Sequence, residues 1–204
     1  ADLNVRVVGE GGNLGMTQLG RIEYARKGGR LNTDFIDNAA GVDCSDHEVN
    51  IKILLNDIVQ AGELTGSQRN KLLISMTEEV AEHVLSNNYR QTQAISIAFH
   101  EGRQRIEEYR RLIDSLESEG KLDRQIEFIP SDEMIVERKG FNEGLTRPEL
   151  SVLISYVKGD LKEALNTAEF CDNTALSTEV ENIFPSAIKK KYHKAVHHHR
   201  LRQE

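Results

Sequence analysis

The sequence predicts a mainly α-helical chain with a small α/β unit at its N-terminus. Three observations carry that expectation. Residues 4–8 (NVRVV) form a short apolar run ahead of a glycine-rich turn, as a strand entering an α/β unit does. From Ser45 onward apolar residues return every three or four positions over long stretches, which is the helical period. Start and stop signals punctuate those stretches, with capping patterns at Ser45/Glu48 and Thr146/Glu149 and a closing glycine at Gly62.

Taken in order, Asn4–Val8 is the expected first strand, and the turn Gly9-Glu10-Gly11-Gly12-Asn13-Leu14-Gly15 follows it. A helix over about residues 17–27 is stopped by Gly28-Gly29, and Arg30–Asn32 is a second short strand. The boundary to the helical region falls at residues 43–45, giving an α/β part over 1–44 and a helical part over 45–204. The first long helix starts at Ser45 and turns Ile51, Leu54, Leu55 and Ile58 to one side. A second helix, over 67–85, does the same with Leu73, Met76, Val80 and Val84. The third, over 89–119, sets Ile95, Phe99, Gly102, Ile106, Tyr109, Ile113 and Leu116 at alternating steps of four and three. That heptad rhythm predicts coiled-coil packing, with Gly102 admitting a neighbouring helix closely. Residues 120–144 interrupt the pattern, with a short helix after Ser131. Thr146-Arg147-Pro148-Glu149 then opens a helix with Leu150, Leu153, Ile154 and Val157 on its apolar face. The last helical stretch, after Pro185, is basic through Lys189, Lys190, Lys191 and Lys194, which reads as a solvated face.

Composition excludes several classes. Asp and Glu number 33 against 26 Lys and Arg, so no basic surface is on offer for nucleic acid. No apolar run approaches the roughly 18 residues a membrane span needs, and the N-terminus lacks the pattern of a signal peptide. Cys44 and Cys171 are far apart in a cysteine-poor chain and read as free thiols in a reducing cytoplasm. The chain starts on a strand-like segment and stops after a basic helical stretch with no stop signal. It is expected to be a piece of a longer protein.

The glycine-rich turn admits two readings. A strand, Gly9-x-Gly11 and a helix, with Asp34 about 20 residues further on, is the layout of a dinucleotide fingerprint. The third glycine is due at position 14, where Leu14 stands, and Arg30–Asn32 is short and polar for a central strand. A glycine-rich turn elsewhere in an α/β domain accounts for the same residues. His47, His83 and His100 have no second His or Cys at ligand spacing, so no metal site is expected. The run His197-His198-His199 reads as native sequence.

Glu10-Gly11-Gly12-Asn13, with Thr17 after it, resembles one signature segment of glutamate dehydrogenases, Glu-Gly-Ala-Asn. Asn38-Ala39-Ala40-Gly41-Val42-Asp43-Cys44-Ser45-Asp46-His47-Glu48 resembles the other, Asn-Ala-Gly-Gly-Val-x-x-Ser-x-x-Glu, at the right distance. Thr33-Asp34 stands where that family has Pro-Asp. Leu145-Thr146-Arg147-Pro148-Glu149-Leu150, Phe184-Pro185 and His199-Arg200-Leu201-Arg202 resemble the helical C-terminal region of the large, NAD-specific bacterial members. The resemblance implies that residues 1–44 are a remnant of a Rossmann-like NAD domain. It implies that Gly11, Gly12 and Asn13 lie on the rim of the nicotinamide site and that Asn38 contacts the cofactor through its amide. Gly41 and Val42 match a backbone turn that approaches the substrate, and Ser45 matches a serine on the distal carboxylate of L-glutamate. A helix starting at Ser45 would add free N–H groups to that contact. Read without the resemblance, Ser45 is an N-cap and Asn38 a turn residue.

Nothing in the chain matches the lysine that activates water or the aspartate that moves protons in that family. The chain alone is therefore expected to be inactive, and the parent enzyme a cytoplasmic homo-oligomer in amino-acid catabolism that converts L-glutamate to 2-oxoglutarate and ammonia with NAD. Two rivals stand beside this reading: a dehydrogenase for an apolar amino acid, and a helical assembly or regulatory module with an incidental glycine turn.

Overall fold

The computed structural model describes residues 3–167 and 177–201. Cys171 and the terminal Arg202 of the sequence reading lie outside them. Thr17 caps α1 (Gln18–Arg26) by accepting from the Gly20 N–H, and the chain leaves the helix through Gly28 at φ +91°, a conformation that costs glycine little. The single turn α2 (Asp34–Asp37) leads into α3 (Ala39–Gln60). The next helix, α4 (Gly66–Ser75), opens with a full capping box between Thr65 and Gln68. After it come α5 (Thr77–Glu101), α6 (Ile106–Ser118), α7 (Arg124–Glu127), α8 (Asp132–Gly140), α9 (Arg147–Thr167), α10 (Ser177–Asn182) and α11 (Ser186–His197). None of the described helices is long and apolar enough to cross a membrane.

The mainly helical class holds, and the α/β unit expected at the N-terminus is not formed as a sheet among the described residues. Among the described residues no strand forms. The two segments expected as strands meet in one parallel bridge, Val7 to Arg30, with the Val8 N–H on the Arg30 carbonyl at 2.9 Å. The Arg30 N–H returns to the Arg6 carbonyl at 3.0 Å. Parallel strands are stable when flanked and covered on both faces. Here Val5 and Val7 stay exposed, so pairing stops at the bridge.

The chain divides into two compact units, and neither is continuous in sequence. The first is Ala1–Ala39 with Asn88–Asp160; the second is Ala40–Asn87 with Leu161–Glu204. In the first, Ile36, Ile95, Ile106, Ile113, Leu116, Ile135, Leu145, Leu150 and Leu153 share one core. The expected helix over 89–119 breaks at residues 102–105, so its heptad seam is no coiled coil. Phe99 is left exposed at the break, and α6 folds back on the end of α5, the Tyr109 hydroxyl donating to the Ala98 carbonyl at 3.3 Å. Gly102 does admit a close neighbour, but the neighbour is the loop at Gly144. A Cβ on Gly144 would stand 2.9 Å from the Gly102 carbonyl carbon and 3.0 Å from the Arg103 nitrogen. Backbone cannot swing aside, so Gly144→Ala is expected to lower stability by about 1–3 kcal/mol. A urea denaturation midpoint equal to that of the native chain would rule out the close contact.

The ion pairs of two arginines, Arg124 and Arg138, link helices of this unit. Arg124, largely buried, bonds Glu117 at 2.6 Å, Asp132 at 2.7 Å and also Asp114, linking α7 to α6 and α8. Arg138 makes a bidentate pair with Glu149, both bonds 2.8 Å, with the two side chains only 4% and 1% exposed. Glu149 also takes the Thr146 N–H at 2.6 Å and the Thr146 hydroxyl at 2.7 Å, so the expected cap of α9 doubles as a buried ion pair.

The second unit has its own core of Ile51, Leu54, Leu55, Ile58, Leu64, Met76, Phe184, Ile188, Tyr192 and Val196. Two expectations fail in it. The helix over 67–85 breaks at Met76, where the Ser75 and Thr77 hydroxyls bond the Leu72 and Ile74 carbonyls in place of solvent. The other is the start of α3, at Ala39 rather than Ser45, because Ala39-Ala40 are strong helix formers and carry the helix upstream.

Candidate functional site

The glycine-rich turn, not a strand, organises the N-terminal part of the first unit. Its anchor is Glu10, whose carboxylate is buried and gripped by Arg21 of α1 through Nε at 2.8 Å and Nη2 at 2.7 Å. The Met16 N–H adds a bond at 2.8 Å, which bends residues 10–16 back on themselves. The Arg21 bonds hold the Glu10 carboxyl below the usual carboxylate range against the opposing effect of burial, and Glu10 raises Arg21 in return. Asp34 takes the Leu14 N–H at 2.9 Å and lies 3.2 Å from Arg21. Asp37 takes the Glu10 N–H at 3.0 Å.

Asp34 is buried and spent on the loop, so it is no ribose-binding acid. Leu14, at the place of the missing third glycine, adopts φ +59° and is held there by Asp34. A leucine in that region costs about 1–2 kcal/mol, which the surrounding bonds must cover.

On this pinned loop the sequence-predicted residues come into view. Gly11, Gly12 and Asn13 are exposed, and a Cβ added at either glycine would meet nothing within 4 Å. Asn38 is the C-cap of α2, its N–H on the Asp34 carbonyl at 2.8 Å. Its side-chain Nδ2 donates to the Asn13 Oδ1, joining two residues 25 apart. That pair leaves one Asn38 N–H, the Asn38 oxygen and the Asn13 amino group for a ligand.

The same unit holds an open cleft of about 980 Å³. Gly9, Glu10 and Gly11 line it together with Asn32, Asp37 and Arg147. The Arg147 guanidinium donates to Asn32 at 3.0 Å and to Ser96 at 3.0 Å, and Asn32 donates to Asp37 at 2.9 Å. Burial lowers the Arg147 pKa. Sequence reasoning missed Arg21, Asn32, Asp37 and Arg147 as supports of the site. Arg147 stood in a quoted motif, and Arg21 was signalled only by a charged residue on the inward side of α1.

The remaining predicted residues sit differently from expectation. Gly41 and Val42 are not a turn but part of the first turns of α3, and both are exposed. Ser45 is no N-cap: it lies inside α3, exposed, with its hydroxyl on the Gly41 carbonyl at 3.1 Å. Glu48, its supposed capping partner, pairs with Lys52. The N–H groups that a helix start leaves without partners belong to Ala39–Gly41, not to residues after Ser45. His47 is buried against the Ile183 carbonyl, its Nδ1 at 3.1 Å.

The arrangement can position a ligand through neutral amides, glycine backbone and one guanidinium. Residues 1–98 match a family model described as bacterial NAD-glutamate dehydrogenase, catalytic domain, and residues 142–204 match glutamate dehydrogenase, C-terminal. The whole chain is similar to NAD-specific glutamate dehydrogenases of Pseudomonas aeruginosa, at 58% identity over 203 residues, and of Halomonas elongata, at 56%. A third, from Mycobacterium tuberculosis, is 41% identical over 202 residues, 99% of this chain. The chain spans only 12–13% of the length of these relatives.

Proposed function

Because this chain belongs to the family of bacterial NAD-specific glutamate dehydrogenases, we propose that it serves the oxidative deamination of L-glutamate to 2-oxoglutarate and ammonia as a positioning part of a much longer enzyme. The observation that carries this is the side-chain contact between Asn13 and Asn38, which unites the two motif segments on one exposed surface. Residues 1–44 form the part that meets the cofactor within a Rossmann-like domain, and residues 45–204 the helical region. The parallel sense of the Val7–Arg30 bridge suits that fold.

The residues present fit NAD. Gly11 and Gly12 carry no Cβ and face open space, so a flat ring can lie against their backbone. Asn13 and Asn38 supply donors and acceptors without charge, as a carboxamide and a ribose require. Held by Asn13 and Asn38, NAD would supply the hydride acceptor for the substrate α-carbon. Asn38, fixed by the Asn13 contact and by its place at the end of α2, orients the ligand. The Glu10–Arg21 pair holds the loop so that Asn13 stays in reach. Gly41 offers a helix-start N–H and Val42 an exposed side chain to the substrate, and Ser45 reaches its distal carboxylate once its hydroxyl turns away from the Gly41 carbonyl. Water activation and proton transfer fall to residues outside this chain, so the chain alone is inactive. The enzyme is read as a cytoplasmic homo-oligomer of amino-acid catabolism, the exposed Ile97 and Phe99 being apolar surface that a second copy would cover.

In the full-length enzyme, Asn38→Ala is expected to lower kcat/KM for NAD about tenfold, the worth of a well-placed hydrogen bond. Ser45→Ala is expected to spare NAD and raise KM for glutamate roughly tenfold or more, since a bond to a charged group contributes about 1.5–3 kcal/mol. Steady-state kinetics with both substrates decide: normal constants in Asn38→Ala remove the cofactor role, and normal constants in Ser45→Ala remove the substrate role. A preference for leucine or phenylalanine over glutamate would move the enzyme to another member of the superfamily.

A further inference from the structure

In the second unit three metal-ligating side chains converge. His193 and His197 stand four apart on α11, and Glu181 comes from α10. The His197 Nε2 lies 3.0 Å from the Glu181 Oε1 and 3.3 Å from the His193 Nε2, and the His193 Nε2 is 3.4 Å from the same carboxylate oxygen. We propose that Glu181, His193 and His197 form a binding site for a divalent transition metal, zinc above others.

The chemistry favours a cation at this point. Two imidazole nitrogens and a carboxylate oxygen, each able to ligate a metal, all lie within 4.8 Å of one another. Zinc bonds of about 2.0–2.2 Å to nitrogen and oxygen separate tetrahedral ligands by about 3.3–3.6 Å. The observed triangle needs movements of only a few tenths of an ångström. Two histidines and one carboxylate leave a fourth position for water or for a group from another molecule.

Helix α11 kinks at Tyr192, and His193 and His197 share the part that follows the kink. Ile188, Tyr192 and Val196 anchor α11 in the core, and Phe184 anchors the chain between α10 and α11. Glu181 and His197 are about a quarter exposed, so water is partly excluded, while His193 is open to solvent. The lysines of α11 weaken a cation site by repulsion, yet Lys190, Lys191 and Lys194 are exposed and long enough to turn their ammonium groups away. The bound ion would staple α10 to α11. The signal was present in the sequence as His193 and His197 at a spacing that puts both on one helical face.

The test is calorimetric titration of the whole chain with zinc chloride, after chelator treatment and alkylation of its thiols, with thermal melting alongside. One zinc per chain and a Tm that rises with zinc concentration are expected. Glu181→Gln, which keeps size and hydrogen bonding, and His193→Ala should each weaken binding by more than about tenfold, the least that losing a ligand should cost. His198→Ala should bind as the native chain does, because the His198 ring is turned to the Lys194 carbonyl. Absence of saturable binding overturns the site. So does Glu181→Gln binding as tightly as the native chain, or His198→Ala losing as much as His193→Ala, since either would mean a histidine-rich surface without a built site.

Discussion

Arg21→Met is expected to destabilise the chain by about 3–5 kcal/mol, because it leaves the Glu10 carboxylate buried without its partner. Methionine restores much of the volume but none of the charge, so Glu10 and Asp34 would repel each other across a nearly dry space. The effect is also directional. The turn of residues 10–16 hangs on Glu10, so Asn13 would leave Asn38, and the full-length variant should lose NAD affinity more than glutamate affinity. Acid should mimic the substitution. Since the folded Glu10 pKa is depressed, its stabilisation is complete above the unfolded carboxyl value of about 4.3 and is lost as pH falls through the folded value. Urea denaturation at neutral pH and in acid checks both. A variant within about 0.5 kcal/mol of the native chain at neutral pH would mean that Arg21 is a surface residue in solution.

Glu149→Gln is expected to cost a similar amount, about 3–5 kcal/mol, in a different part of the first unit. The amide still takes a bond from Thr146, but its NH₂ faces an Arg138 donor where the carboxylate offered an acceptor. Burial acts to lower the Arg138 pKa, and the bonds to Glu149 more than offset it. Removing that carboxylate leaves a buried cation with only the weaker pull of Glu143 and Glu137 to balance it. The double variant Arg138→Met with Glu149→Leu should recover most of the loss, because apolar side chains of similar volume avoid both desolvation costs. If the double variant is as unstable as Glu149→Gln, loss of the helix cap rather than the stranded charge is responsible.

The parts of the fold that were legible in the sequence are those fixed by neighbours in the chain. Thr17, Ser131 and Thr146 were read at or near helix starts and do stand there, because capping is a bond across three residues. The faces through Ile51–Ile58 and Leu150–Leu153 were read from spacing alone and are buried. What failed depended on partners remote in sequence. Asn4–Val8 has strand composition but no flanking strand. The heptad seam is regular in sequence, but the helix ends at Glu101, next to the point where the Gly144 backbone approaches Gly102. Ser45 and Glu48 carry a capping pattern that two alanines upstream overrode. At the site, Asn13 and Asn38 were legible because the motif names them. Arg21, Asp37 and Asn32, which hold them in place, act through contacts that no local pattern announces.

The interleaving of the two units has a consequence for synthesis on the ribosome. The first 39 residues have no finished unit to join until the segment 88–160 has emerged. Ile51, Leu54, Leu55 and Ile58 wait longer still, since Phe184, Ile188, Tyr192 and Val196 lie more than about a hundred residues further along the chain. At roughly 5–20 residues per second, this apolar helix face stays uncovered for several seconds after it leaves the exit tunnel. That interval is a window in which a chaperone could bind it and in which a nascent chain is open to aggregation. A chain released early, before Phe184, would keep that face bare for good and present quality-control proteases with an easily recognised target.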